Sequence, residues 1–594
     1  MSMAEAWGVA PGHFDIDGRW VPAGPQSVCR VLDAMGAEGA PPTPPVLVVH
    51  AGQPVPLSAI SEVITEDGDA IRVDGLLQPD LPYGYHTLRR LGDDSEARLI
   101  VSPRRCHLPA ELRAWGWAAQ LYAVRSVKSW GFGDLGDLRG LASWAAHLGA
   151  GHVLVNPLGA PLPLLPQESS PYYPSSRRYR NPLYIRVEEV PGAARLGERL
   201  AELVCVGRDL NRQRLIERDR VFRLKMRALE QLFAASEPSD EFDRYREGEG
   251  RGLTDYATFC ALTEVYGRGW RSWPAALQHP DSSAVRRFRA DRHCRIAFHK
   301  WLQWLLDQQL AAAAREIGLV HDLPIGVQAQ GADAWAWQDT FADGISVGAP
   351  PDPFNRSGQD WAVPPFDPWR LRSSGYEPFI QTVRAAFRHG VGLRVDHVMG
   401  LFRLFWIPEG MGPDQGVYVR YPYGELLDIL ALESHRAGAF VVGEDLGTVE
   451  DVVREEMAER SILSYRLLWF EQRPPAEYRP ESVAALSTHD LPTLAGIWEG
   501  SDPDESVRER LLRYAGVRDD QSIEEVTLAA YRALATSPSR LVAATLEDAL
   551  GVAERPNKPG TTDGWPNWSL GLPLTLEQLR DDPRPVRLAG ILRR

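Results

Sequence analysis

GLRVDHV, residues 392–398, places Leu393 and Val395 on one side of an extended chain and Arg394 and Asp396 on the other. Residues two apart on a strand share a face, so the guanidinium and the carboxylate meet. An adjacent cation favours the ionised carboxylate, the state a nucleophile needs; a purely structural Arg–Asp ion pair is the competing reading. Two other stretches repeat the design: FVVGEDLGT (440–448) carries Glu444 and ALSTHDLPT (485–493) carries Asp490. Each acid ends a short apolar run, and the next segment turns or starts a helix. A barrel of parallel strands collects its reactive groups at that end. Three acids there suit chemistry on a glycosidic bond.

Outward from these stretches, strands and helices alternate. Candidate strands cover 118–124, 152–158, 320–327, 392–398, 439–446, 465–470, 482–489 and 541–549. Helical periodicity between them puts Phe379, Ile380, Val383 and Phe387 on one face, and Val449, Val452, Val453 and Met457 on another. Thr448 and Asp451 resemble a capping box. Eight buried strands alternating with helices predict an α/β fold, a (β/α)8 TIM barrel. Residues 1–110 differ: short alternating runs broken by Pro and Gly, without a convincing three-turn helix, predict a small β-sandwich domain. The barrel domain then spans 111–594. Its insertions fall at about 159–318, a Pro-rich loop plus a helical subdomain, and at 340–375. The latter holds GAPPDPFNRSGQDWAVPPFDP (348–368), too rich in Pro and Gly for helix or strand and expected as an active-site loop.

Composition narrows the function. The 594 residues are 44% hydrophobic and 24% charged, an ordinary soluble balance. A net charge of −14 argues against a nucleic-acid binder, which needs a basic face. No membrane span or signal peptide is expected. Five scattered cysteines without a CxxC pair predict a reduced, cytoplasmic protein with buried or inert thiols. Nineteen tryptophans chiefly fill cores, and their flat faces also suit stacking on sugar rings.

Glu444 closes an apolar run where a charge is costly; a partly desolvated glutamic acid near other carboxylates suits proton donation to a leaving oxygen. Asp445 is its rival, with helix capping as the plainer role. Asp490 can oppose an oxocarbenium-like charge, and His489 beside it reads alone as a hydrogen-bonded histidine. No His/Glu spacing suggests a metal site, and GFGDLGDLRG lacks the lysine and context of a phosphate loop. No cofactor is expected.

Taken together, LYAVRSVKSWGFGDLGDL, SSPYYPSSRRYRNPLYI, DLPIGV, the 348–368 segment, LRVDHVMGLFRLFWIP, VVGEDLGT, STHDLPTLAGIWEG and NKPGTTDGWPNWSL resemble the 4-α-glucanotransferases of the amylomaltase type, glycoside hydrolase family 77. LPYGYHTL (81–88) resembles the longer bacterial members with an N-terminal β-sandwich. The resemblance implies a retaining double displacement on maltooligosaccharides and α-1,4-glucans: Asp396 attacks, Glu444 is the acid/base and Asp490 stabilises the transition state. It assigns Tyr172, Asp322, Arg394 and His489 to the sugar ring being cleaved, and Asp352, Gln359 and Trp361 to the acceptor side. A monomer or homodimer is expected.

The family loop usually reads GQNWG, but here Asp360 and Ala362 give GQDWA; where some members carry a tyrosine supporting a remote glucan site, this chain has Gln167. An α-glucan hydrolase of the amylase clan would share the acids and differ in admitting water. A non-catalytic glycan-binding protein would not need all three acids, and an aldolase-like barrel would need a strand-end lysine.

Overall fold

The computed structural model describes residues 2–593 except 16, 44, 352–354 and 562–563. Eight strands close into a parallel barrel: β1 Ala114–Ala119, β2 His152–Val155, β3 Gly318–Leu323, β4 Gly392–Val395, β5 Phe440–Gly443, β6 Leu463–Leu467, β7 Ser482–Ala485 and β8 Leu541–Thr545. Spatial order follows chain order, and β8 pairs back onto β1 through Leu541–Ala114 and Thr545–Ala118. This is the expected (β/α)8 arrangement. Strands covered on both faces read as continuous apolar runs, as FVVG, SVAA and LVAAT do here.

Seven strands begin within two residues of the expected positions but stop three or four residues early. The remainder of each run is loop or turn, except after β8, where helix Leu546–Leu550 begins at once. β1 lies upstream of the expected 118–124: buried Trp115 and Trp117 carry its register, and Leu121–Ala123 is a 3₁₀ turn. Asn156 holds that turn, its Oδ1 accepting from the Leu121 amide at 2.7 Å.

The chain divides into two compact units, one of residues 1–109, 337–388 and 395–463 and the other of 110–336, 389–394 and 464–594. In the second unit, the long gap between β2 and β3 holds helices Arg218–Ala234, Asp240–Tyr266, Ser283–Asp291 and His293–Ala314. The GFGDLGDL stretch is a helix start: Asp134 caps Leu135–His147 and forms a capping box with Asp137. Two cations are buried against these acids. Arg186 Nε reaches Asp134 at 2.7 Å, its Nη2 reaches Asp137 at 2.5 Å, and Lys225 Nζ donates to the Leu183 and Ile185 carbonyls and lies 3.4 Å from Asp134. Burial and the Asp134 charge push Asp137 up to about 6, against Arg186 and the hydroxyls of Ser126 and Ser129.

In the first unit, the β-rich region builds a five-stranded sheet in the order Val46–His50, Glu96–Ser102, Gly84–Arg90, Ser61–Ile64, Ala70–Val73. It shares a core of Val49, Val63, Val73, Leu99 and Val101 with Leu77 of a two-stranded ribbon, Val55–Pro56 with Leu76–Leu77. Against the expected absence of helix, this region also contains a three-turn helix, Pro25–Met35. Pro25 at its first turn, Gly36 in the left-handed region (φ 66°) and the buried Val31, Leu32 and Met35 specify it. Asp428 on helix Tyr423–Ala437 is buried and takes Ser102 Oγ at 3.1 Å, Arg460 Nη1 at 2.7 Å and His50 Nε2 at 3.2 Å. These contacts dock the sheet onto a barrel helix. The expected capping box does not form: Gly447 (φ 86°) turns the chain, helix Asp451–Glu459 starts after Glu450 without a side-chain cap, and only Val453 and Met457 of the expected face are buried. The five cysteines are free, with Cys106 and Cys260 buried but Cys29, Cys205 and Cys294 exposed.

The buried charges lead to two expected outcomes. Asp134→Ala leaves Lys225 without a carboxylate and Arg186 with Asp137 alone, and destabilises the protein by about 3–5 kcal/mol, read as a large drop in thermal midpoint. Removing residues 1–109 strips Asp428 of two partners and uncovers its helix, so the truncated chain aggregates in sedimentation assays; a soluble, fully active truncation would refute that docking role.

Candidate active site

Within the second unit, a pocket is lined by Gln120, Asn156, Tyr172, Asp322, Arg394, His489 and neighbouring strand-end residues. Arg394, buried on β4, donates Nη1 to Asp322 Oδ1 on β3 at 2.7 Å. Asp322 Oδ2 accepts from the Tyr172 hydroxyl at 2.5 Å. The Tyr172 ring stacks on His489 with centroids 4.7 Å apart, and Trp568 borders both at 5.3 and 5.2 Å. His489 Nδ1 lies 3.3 Å from the Tyr172 oxygen, and its Nε2 lies 3.3 Å from Asp490 Oδ2. Asn557 Nδ2 donates to Asp490 Oδ1 at 2.7 Å, and Arg555 donates to the Asp490 carbonyl at 3.0 Å. Five of the expected residues, Tyr172, Asp322, Arg394, His489 and Asp490, are therefore one connected group.

Charges in this group stabilise each other. Burial alone would raise Asp490, but His489, the amide of Asn557 and the Arg394 charge hold it down at about 2. Burial likewise opposes a charged His489, and Asp490 overrides it, raising the imidazole above its usual range.

Within the first unit, Asp396 follows the last residue of β4 and Glu444 the last residue of β5. His397 occupies the left-handed region (φ 47°, ψ 61°), which turns the chain directly after Asp396. Glu444 is held by two backbone donors, the His397 amide to Oε2 at 3.0 Å and the Leu446 amide to Oε1 at 2.7 Å. Burial pushes His397 down to about 4, so the ring is neutral at physiological pH. Asp445 turns away to Arg454 Nε at 3.3 Å and stays buried, in a structural role.

The 348–368 segment departs from expectation. Ile345–Ala349 and Gln359–Val363 are antiparallel strands in a four-stranded sheet with Arg403–Pro408 and Val417–Arg420. Gly348 permits the pairing, since a Cβ there would collide with the Gln359 carbonyl oxygen. Trp361 Nε1 donates to Gln359 Oε1 at 3.2 Å, and its ring meets His397 edge-on at 5.2 Å. Gln359, Trp361, His397 and Glu444 thus form a second connected group. Asp352 lies outside the described residues. In GQDWA, Asp360 Oδ1 accepts from the Ala362 amide at 2.8 Å, and Ala362 sits at φ 56°. Gln167 turns into its own loop, donating to the Leu162 and Leu164 carbonyls at 3.1 and 2.7 Å.

Sequence reasoning gave no role to Asn557 or Trp568, although both lie in the quoted NKPGTTDGWPNWSL. Their signal was an irregular polar-aromatic loop following β8, the position from which a barrel loop reaches its mouth. Among the described residues, no group of three or more His, Cys, Asp or Glu is placed to hold a metal ion.

Residues 119–575 match the glycoside hydrolase 77 family, described as 4-alpha-glucanotransferase. The chain belongs to this family. A 4-alpha-glucanotransferase of Mycobacterium tuberculosis is 38% identical, with 100% of this chain and 98% of the relative covered. Another from Haemophilus influenzae is 31% identical over 95% of this chain and 94% of its own. Amylomaltase from Corynebacterium glutamicum superposes with a TM-score of 0.89 at 32% identity, covering 100% and 99% of the two chains. As a 4-alpha-glucanotransferase, the protein is an enzyme of α-glucan metabolism that transfers segments of α-1,4-glucan.

Ala362 tests the loop. An alanine in the left-handed region is strained, so Ala362→Gly gains about 0.5–1 kcal/mol and raises the thermal midpoint. A lower midpoint would show that the Asp360 bond, not the side chain at 362, sets that conformation.

Proposed function

We propose that Asp396 is the nucleophile, Glu444 the general acid and then base, and Asp490 the acid that opposes positive charge on the reacting ring. The observation that carries this reading is the polarised group around Asp490. Its carboxylate is fixed by Asn557 and His489 and held at about 2, so it is anionic throughout the neutral range. An anion kept in that state suits an oxocarbenium-like transition state.

In the first step an Asp396 oxygen bonds to the anomeric carbon while the glycosidic C–O bond breaks. The electron pair leaves with the glycosidic oxygen, which takes the Glu444 proton. In the second, Glu444 removes the proton from the 4-hydroxyl of an acceptor glucan, whose oxygen displaces Asp396. Two inversions leave the α configuration intact. Arg394, Asp322, Tyr172 and His489 hold the ring being cleaved, with donors and acceptors already fixed to one another; Gln359, Trp361 and Asp352 serve the acceptor. The substrates are maltooligosaccharides and α-1,4-glucans. Five free thiols and no disulfide among the described residues support a reducing, cytoplasmic setting. No helix is long and apolar enough to cross a membrane among the described residues.

Incubation with maltotriose separates transfer from hydrolysis: the transferase gives glucose together with a ladder of longer oligomers, and breakdown without longer products would sink the reading. Asp396→Asn lowers the disproportionation rate by about 10³-fold or more, because a neutral amide cannot form the glycosyl ester. Near-normal turnover of that variant would remove Asp396 as nucleophile.

A further inference from the structure

Two acids line the pocket of the second unit, Asp322 and Glu547. Asp322 is taken up by Arg394 and Tyr172. Glu547 has no part in the steps above. It stands in the first turn of helix Leu546–Leu550, immediately beyond β8, and is 8% exposed. Its carboxyl accepts from its own backbone amide, and the charged groups that act on it are Asp548 and His489. Tyr122 also feels its charge, under the Arg218 guanidinium at 5.2 Å.

The hydrogen bonds around His489 specify its proton count. The Tyr172 hydroxyl spends its only proton on Asp322, so its oxygen can only accept from His489 Nδ1. Asp490, ionised, can only accept from Nε2. Both ring nitrogens are then donors, and the ring is an imidazolium. A buried imidazolium near Arg394 needs compensation. The charged and titratable groups facing it are Asp490, Arg394 and Asp322, with Tyr172 stacked on it, and Glu547 lines the same pocket from the helix after β8.

We propose that Glu547 is a positioning residue for His489, its carboxylate supplying the extra negative charge that keeps both imidazole nitrogens donating in the pocket. Its consequence for catalysis rests on the role given to His489 above; the charge coupling itself does not. With Glu547 ionised, the five charged groups carry one negative charge in excess; with it protonated they balance. Burial pushes Glu547 up to about 7, with Asp548 adding to the effect and its own amide and His489 opposing it. Ionisation of Glu547 above neutrality therefore favours charged His489 and delays its deprotonation. Replacing the carboxylate with an amide removes that hold.

The test uses the full-length chain with ¹³C-labelled histidine, His489→Gln identifying the His489 signal. In Glu547→Gln the titration midpoint of His489 falls by about 0.5–1 pH unit. The alkaline limb of kcat/KM for maltotriose disproportionation moves down by the same amount, and Glu547→Asp restores most of both. A merely structural glutamate would lower the thermal midpoint and leave the His489 midpoint in place, which would overturn the proposal. The wild-type protein gives a second reading that does not depend on folding of a variant: the His489 signal shows a minor step near pH 7 as Glu547 ionises, and absence of that step also overturns it. Wild-type protein that shows the coupling but no disproportionation would instead refute the proposed function.

Discussion

The ion pair between Arg394 and Asp322 is the constraint around which the pocket is organised. Both side chains are almost fully buried, and a buried pair survives only when its remaining donors and acceptors are matched. Asp322 meets that condition by accepting from Tyr172. Its hydrogen bond fixes the Tyr172 ring, the ring carries His489, and His489 reaches Asp490. One desolvated charge thus propagates order through five side chains drawn from two strands and two loops. The parallel closure of the barrel makes this possible, because strand ends distant in sequence become neighbours when spatial order follows chain order.

The same physics serves a different end elsewhere. Around Asp134, Asp137, Arg186 and Lys225, every charge is within a few per cent of complete burial, and main-chain groups complete the set. Asp428 with Ser102, Arg460 and His50 is closed in a similar way. These clusters lock helices and sheets and offer no free valence. The Asp490 group instead ends on a carboxylate whose side chain is 43% exposed. Asp396 and Glu444 are likewise only partly covered. A polar network that is rigid behind and open in front can bind and react; one closed on all sides can only hold.

Strand positions were legible in the sequence because the apolar runs are long and the acids stand out at their ends. Strand ends were not, since these runs continue into apolar loop residues that periodicity cannot distinguish from strand. Leu121–Ala123 shows the problem: the segment is apolar and buried, yet a hydrogen bond to Asn156 in another loop makes it a turn. Alternation placed Asp396 beside Arg394, whereas Asp322 comes from the neighbouring strand, a contact that local pattern does not encode. Composition also hid the strand Gln359–Val363, because a Pro- and Gly-rich surrounding says nothing of the partner strand Ile345–Ala349 that pairs with it. Asn557 acts on Asp490 from 67 residues away, and only the folded chain reveals it.

The departures from the family pattern fall on the loops and leave the strand-end acids untouched. Gln167 replaces an aromatic side chain with one that spends both amide protons on its own loop, so no flat platform for a remote glucan is rebuilt at that position. Asp360 caps the Ala362 amide and helps hold a left-handed alanine, which makes the segment carrying Trp361 stiffer than a glycine would. Trp361 is further pinned by Gln359 and by the edge of His397, whose own amide holds Glu444. Trp361 and Glu444 are therefore joined through one turn of backbone. Any change in how tightly Trp361 is held is felt at the Glu444 carboxylate, so under the proposed mechanism loop stiffness and the choice between sugar and water are coupled.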